Sequence, residues 1–230
     1  MLKIYVFSLV IAMVLNANAQ SLLNITNIFG VGDNEFSIEF VHIANPGNSA
    51  NGSGNGSVNY AFNLGKYEIS REQILKANSA AGLGIVLQDL SSYGGNGPQR
   101  PATGLTWNSA ARFVNYLNTS QGYQAAYKFT TSGASDNLTL WGEGEYSGTN
   151  QYRHKDAYYF LPSRDEWIKG GFGSPSGNWY NTPTGEIEPT PETSPSGGTS
   201  AGTVVFRKTF SSGPVDVNNA GGLSPYGTMA

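Results

Sequence analysis

The sequence predicts an α+β fold, rich in loops, in which short helices pack on small antiparallel sheets, and three features predict it. Apolar residues alternate with polar ones over residues 36–44 and 58–70, the pattern of half-buried strands. Two segments open with Ser-x-x-Gln or Ser-x-x-Glu at capping-box spacing, and a third, residues 106–118, carries apolar side chains three and four apart. Thirty glycines, with many Asn and Ser, assign much of the remainder to turns and loops.

Taken in order, Lys3 precedes an apolar stretch from Ile4 to Leu15, and the run closes on Ala17-Asn18-Ala19. This is the pattern of a secretory signal, residues 1–19, with cleavage expected before Gln20. The stretch is short for a bilayer-spanning helix, and no later segment approaches the roughly 20 apolar residues that one needs. The expected product is an exported chain with no transmembrane segment and one domain over residues 20–230.

Within it, Phe36, Ile38 and Phe40, then Val41 and Ile43, mark one strand, and Tyr60, Phe62 and Leu64 mark the next. The Gly- and Asn-rich stretch 45–57 between them reads as a long flexible connection. Ser70 and Gln73 stand at capping-box spacing, with Ile69 and Ile74 as a hydrophobic staple, so a helix is expected from Arg71 to about Asn78. Thr106 is the expected N-cap of a second helix whose stripe is Trp107, Ala110 or Ala111, Val114 and Leu117. Residues 125–131 and 137–148 read as short strands or loop.

Tyr158 to Leu161 fits a buried strand that Pro162 ends, and Ser163 with Glu166 caps a third helix over which Trp167 folds back towards Leu161 and Pro162. Arg164, Asp165 and Glu166 then serve packing and capping, not chemistry. Residues 174–202, rich in Pro, Gly, Ser and Thr, read as either a functional loop or a disordered run, and residues 203–210 suggest one more strand.

The order of these pieces resembles the sulfatase-modifying factor family, also called the formylglycine-generating enzyme domain. Its members open their helices with phrases such as G-K-Y-E-V-T, P-V-x-x-V-S-W-x-D-A and Y-R-L-P-T-E-A-E-W-E. The matching slots here are Gly65 to Ser70, Pro101 to Ala110, and Tyr159 to Trp167. The resemblance covers about Phe36 to Ala230 and implies a fold related to the C-type-lectin-like fold. It also implies that the family's G-N-V-W-E-W phrase lies beyond the Tyr226–Met229 position, so that the domain's C-terminal part is missing here.

Active members of that family look like copper-dependent oxidases that use a cysteine pair to convert a sulfatase cysteine to formylglycine. This chain has no cysteine, and copper(I) in such a site requires soft thiolate ligands. Copper is therefore not supported, and the chain reads as non-catalytic in this form. Calcium is the cofactor the resemblance implies, with Asp216 and Asn218 as candidate ligands in the late loops. The two histidines, His42 and His154, read as structural or surface residues; Glu143 and Glu145 could form a carboxylate pair of glycosidase type, but their alternate spacing in a Gly-rich loop is more often solvated charge.

Net charge is −3, with 13% charged residues and no basic cluster, which argues against nucleic acid as a partner. Trp141 and Trp179 are candidate ligand-binding residues in loops, where rings serve either recognition or anchoring. Asn24, Asn51, Asn55, Asn118 and Asn137 head N-x-S/T sequons, a number expected by chance in so Asn-rich a chain. Three functions follow as expectations: a cell-surface binding or structural module with a protein or saccharide partner, a truncated formylglycine-generating oxidase, or a lectin-like saccharide binder.

Overall fold

The computed structural model describes residues 9–13, 24–130, 137–185, 197–205 and 213–229. In chain order these contain β1 (Ala12–Met13), β2 (Ile25–Phe29), a 3-10 turn at Gly32–Asn34, β3 (Phe36–Ile43), β4 (Phe62–Gly65), α1 (Arg71–Ala81), α2 (Trp107–Ser120), β5 (Lys128–Phe129), β6 (Leu138–Thr139), β7 (Tyr159–Phe160) and α3 (Arg164–Phe172). Five strands form one sheet in the order β2-β3-β4-β1-β7, every pair antiparallel, and β5 with β6 forms a separate ribbon. Mixed α and β structure with a small antiparallel sheet is what the sequence predicts.

Alternation along the strands divides the core into two faces. Phe36, Ile38 and Phe40 lie on one face with Met13 and Tyr159, and α2 meets them there, the Phe113 ring stacking on Phe36 at 6.1 Å. Val41, Ile43, Phe62 and Leu64 share the other face with Ala12 and Phe160, and α3 covers it. Because β4 is internal to the sheet, all four of its residues are buried on both sides. Tyr60, just before it, is half-exposed instead of continuing the core stripe.

The helix starts agree with the capping chemistry. Ser70 and Ser163 each accept a backbone N–H three residues on, and Gln73 and Glu166 reach back to the cap, completing both boxes. Thr106 accepts from the Ser109 N–H at the start of α2. The first helix runs three residues past the expected end, to Ala81, where Gly82 adopts the left-handed conformation (φ 62°) of a C-terminal stop. In α2 the buried stripe is Ala110, Phe113, Val114 and Leu117, whereas Trp107 is 47% exposed. The spacing placed Trp107 in the core because an N-terminal residue can continue a stripe that leaves the sheet before reaching it.

Two further segments differ from expectation. The connection over 45–57 is folded by its own asparagines: Asn51 Oδ1 accepts from the Ser53 and Asn55 N–H groups, and Asn48 donates to Gly56 O and accepts from Val58 N. Asp165 of α3 ties it to the body, accepting from Gly56 N at 2.7 Å. Of the strand expected over 203–210, Val204 bridges to Gly221, and residues 206–210 lie outside the described residues.

The outer edge of β7 is closed by side chains. Asn118 on α2, fully buried, accepts from Tyr158 N and Tyr159 N and donates to Tyr159 O, at 3.0, 2.9 and 2.8 Å. Tyr127 OH accepts from Leu161 N at 2.8 Å. A carboxamide and a phenol thus do the pairing that a sixth strand would do, which protects the edge. Asn118→Ala would strand these backbone groups, and we expect a loss of about 3 kcal/mol in the urea midpoint analysis with an unchanged m-value. The same burial means that the Asn118 sequon carries no glycan in the folded chain, which intact-mass measurement checks.

Gly170 in α3 lies against the sheet, and a Cβ there would stand 2.3 Å from Leu64 Cδ2 and 3.5 Å from Ile43 Cδ1. Overpacking of about 1–3 kcal/mol outweighs the roughly 1 kcal/mol that alanine adds to a helix. Gly170→Ala should therefore lower Tm by roughly 2–4 °C in a calorimetric scan.

Candidate binding groove

Leu105 precedes the Thr106 cap and Ala110 is the fourth residue of α2, the two positions of a hydrophobic staple; Pro162 and Trp167 hold the same positions about the Ser163 cap of α3. The two helix starts stand side by side, and the groove between them encloses about 630 Å³. Its walls are Leu105, Trp107 and Ala110 from one corner, Leu161, Pro162 and Trp167 from the other, and Leu9 and Val10 from the chain leading into β1. Trp167 therefore does lie beside Leu161 and Pro162, but 44% of it stays exposed. Trp107 packs edge-on against Tyr127 at 5.0 Å, and Trp167 leans on Phe172 at 5.8 Å. Arg164 lies at the rim, and Thr106 and Ser163 contribute hydroxyls already engaged as caps.

Behind the groove, the buried carboxylate of Glu166 organises a polar hub. Its carboxylate accepts from Ser163 N at 2.5 Å, pairs with Arg153 Nη1 at 3.1 Å and receives the Tyr60 hydroxyl. Arg153 also donates to the Tyr60 oxygen at 3.1 Å and lies over the Phe160 ring at 4.1 Å. Burial, with the neighbouring Glu166 carboxylate, raises the Tyr60 pKa. The hub holds the start of α3 against the chain entering β4, and Trp167 is the next residue along that helix. Glu166 has the capping role that its spacing predicts; it is also an ionic anchor, which capping spacing alone does not reveal.

The residues singled out in the sequence lie elsewhere. Trp141 donates to Ala126 O at 3.0 Å and meets His154 edge-on at 4.5 Å, with Lys128 over its ring. Trp179 donates to Ser49 O at 3.2 Å and covers Gly56, where a Cβ would come within 2.2 Å of the indole. Each ring fastens a loop to the body, and both remain partly exposed. Glu145 accepts from Gly142 N at 2.6 Å within its own turn.

His42 Nδ1 faces Asn63 Oδ1 at 3.0 Å, and His154 Nδ1 accepts from Asp156 N at 3.1 Å. Asp216 and Asn218 are both exposed, on either side of buried Val217, and the Asp216 carbonyl accepts the Asn219 N–H of a turn. Among the described residues no three His, Cys, Asp or Glu side chains gather at one point. Calcium between Asp216 and Asn218 would thus draw most of its six to eight oxygens from water and main chain. Among the described residues no helix is long and apolar enough to cross a membrane. Neither a family model, nor a curated protein, nor a solved structure matches this chain.

Lys169 is a base displaced by burial. It is 1% exposed, donates to Asn45 O at 2.8 Å, and burial lowers its pKa from 10.5 to about 8. Between these values the unfolded chain binds more protons than the folded one, so stability rises with pH from about 8 towards 10.5. Tyrosines act oppositely above pH 10: buried Tyr226, raised to about 12, stays protonated only when folded. Between pH 8 and 10 the native chain should therefore gain about 2 kcal/mol relative to a Lys169→Met variant, read as the difference in urea midpoints across that range.

Proposed function

We propose that this is an exported, non-catalytic binding module of the sulfatase-modifying-factor-like kind, and that it holds an apolar segment of a partner protein in the groove between the starts of α2 and α3. The observation that carries the reading is the pair of half-exposed tryptophans, Trp107 and Trp167, flanking a largely hydrocarbon cleft. Indoles that stay exposed in a monomer and frame a concavity are the side chains that dominate binding energy when a partner covers them. The three capped corners in family order support the family assignment, and the absence of cysteine supports a non-catalytic role.

A peptide suits the cleft better than a saccharide. Sugar rings need several free hydrogen-bonding groups beside an aromatic platform, whereas the hydroxyls of Thr106 and Ser163 already accept backbone N–H groups of their own helices. Leu105, Leu161 and Pro162 complete an apolar floor, and Arg164 supplies one cation at the rim.

Peptides selected on the full chain from a random library should be rich in Leu, Ile and Phe. Their affinity should fall by about tenfold or more with either Trp107→Ala or Trp167→Ala, the loss typical of a central aromatic contact. Trp141→Ala and Trp179→Ala serve as controls, and a glycan array is the competing arm. Retention of peptide affinity in both groove variants, or glycan binding lost in the Trp141 and Trp179 variants, would overturn the reading.

A further inference from the structure

The middle of the sheet is held by a segment whose sequence marks it for removal. Leu9 to Met13 lies inside the apolar stretch of the signal-like leader, yet β1 sits between β4 and β7, with Ala12 opposite Leu64 and Phe160, and Met13 opposite Asn63 and Tyr159. Ile11, Ala12 and Met13 are fully buried. Ile11 O accepts from Gly65 N at 2.7 Å, and Leu9 O from Ile69 N at 2.8 Å. Gly65 and Ile69 are themselves buried, so an empty seat would leave these donors unsatisfied away from water, at a cost comparable to losing each bond outright. A chain cleaved before Gln20 thus contains a gap in its sheet that some extended segment must occupy.

The seat is also more polar than its tenant. Around Met13 stand Asn63 and Tyr159 as its partners across the two strands, His42 beyond Asn63, and Asn27, whose carboxamide donates to the Tyr159 hydroxyl and approaches the Met13 sulfur at 3.9 Å. Asn63 is fully buried, and while its Oδ1 faces His42, its Nδ2 has no hydrogen-bond partner. Directly opposed residues of antiparallel strands have Cβ atoms about 5 Å apart on the same face. A side-chain acceptor at the Met13 position therefore reaches the orphaned donor, which the thioether leaves unpaired.

We propose that the gap between β4 and β7 is a strand-acceptor site, filled in the exported chain by an extended apolar segment of a partner protein that carries a glutamine-like acceptor opposite Asn63. The segment runs antiparallel to both neighbours, with a small residue at the Ala12 position, where Leu64 and Phe160 close from the two sides. Its preceding residues continue into the groove wall that Leu9 and Val10 now form, so the site deepens the proposed peptide-binding function. It rests on removal of residues 1–19 and not on the tryptophans.

The test uses the folded full chain with a protease site placed between residues 14 and 19. After nicking, the N-terminal piece should stay bound through gel filtration and be displaced by a labelled peptide spanning residues 8–14. The Met13→Gln peptide should displace it at about fivefold to tenfold lower concentration, the worth of one buried hydrogen bond. The Ala12→Arg peptide should not displace it at 100-fold excess, on the order of 3 kcal/mol weaker. Exchange is scored with the residue 8–14 peptides and the groove with the library-selected peptides, so failure here is read separately from failure of the groove reading.

Three results would each overturn the proposal. The nicked piece could dissociate while Tm stays unchanged, the gap having closed without a strand. The glutamine peptide could prove no better than the parent. Chain recovered from outside the cell could retain residues 9–13 by mass, leaving no vacancy for a partner.

Discussion

A strand of two paired residues, Ala12 and Met13, keeps the sheet in one piece. On one side β2, β3 and β4 are joined to each other by long ladders, and on the other β7 is joined to α2 through Asn118. Among the described residues, only β1 connects the two halves by backbone pairing. The core follows from this, because both faces of the sheet are continuous only while the middle position is filled. Phe40 and Tyr159, on strands either side of β4 and β1, bring their rings to 5.8 Å across that position. The helices are then applied to a sheet whose ends are already held, α2 through the Tyr159 backbone and α3 through Leu64 and Ile43.

Local rules made much of the fold readable, and non-local ones account for the remainder. Helix starts were legible to the residue at Ser70, Thr106 and Ser163, because a cap satisfies donors only two or three positions away and leaves its mark in adjacent letters. Strand β3 was legible because its alternation is imposed by one sheet. The place of Leu9–Met13 was not, since an apolar run looks the same whether a translocation machinery or a sheet receives it. Asn118 reads as a sequon or as a helix-surface residue; that it completes the edge of β7 depends on Tyr158 and Tyr159, forty residues on, and no short pattern contains both.

The candidate site shows the same division. Leu105 with Ala110, and Pro162 with Trp167, are staple pairs that the sequence displays, but that both line one groove depends on how α2 and α3 seat on the two faces of the sheet. Periodicity points Trp107 inward, and Trp141 and Trp179 stand out in the sequence as loop aromatics; the structure instead leaves Trp107 and Trp167 as the indoles framing a cleft. The available sign was position: a tryptophan at the first turn of a helix lies where the stripe runs out of core to cover.

Glu166 links the two scales. As the third residue of α3 it belongs to a capping box, an exchange of hydrogen bonds confined to four residues. As the acceptor for Arg153 and Tyr60 it also fixes that helix start to chain segments more than ten and more than a hundred residues away. Isolating such a carboxylate in the interior is costly, and breaking a buried pair by removing one partner typically costs about 3–5 kcal/mol. Tolerating that arrangement makes physical sense where orientation matters more than net stability, because a hub with directional bonds admits one geometry while an apolar replacement admits several. The consequence falls on Trp167, the next residue in the chain: the start of α3 that carries it is held by the hydrogen bonds of its neighbour, so this wall of the cleft is shaped before anything enters it.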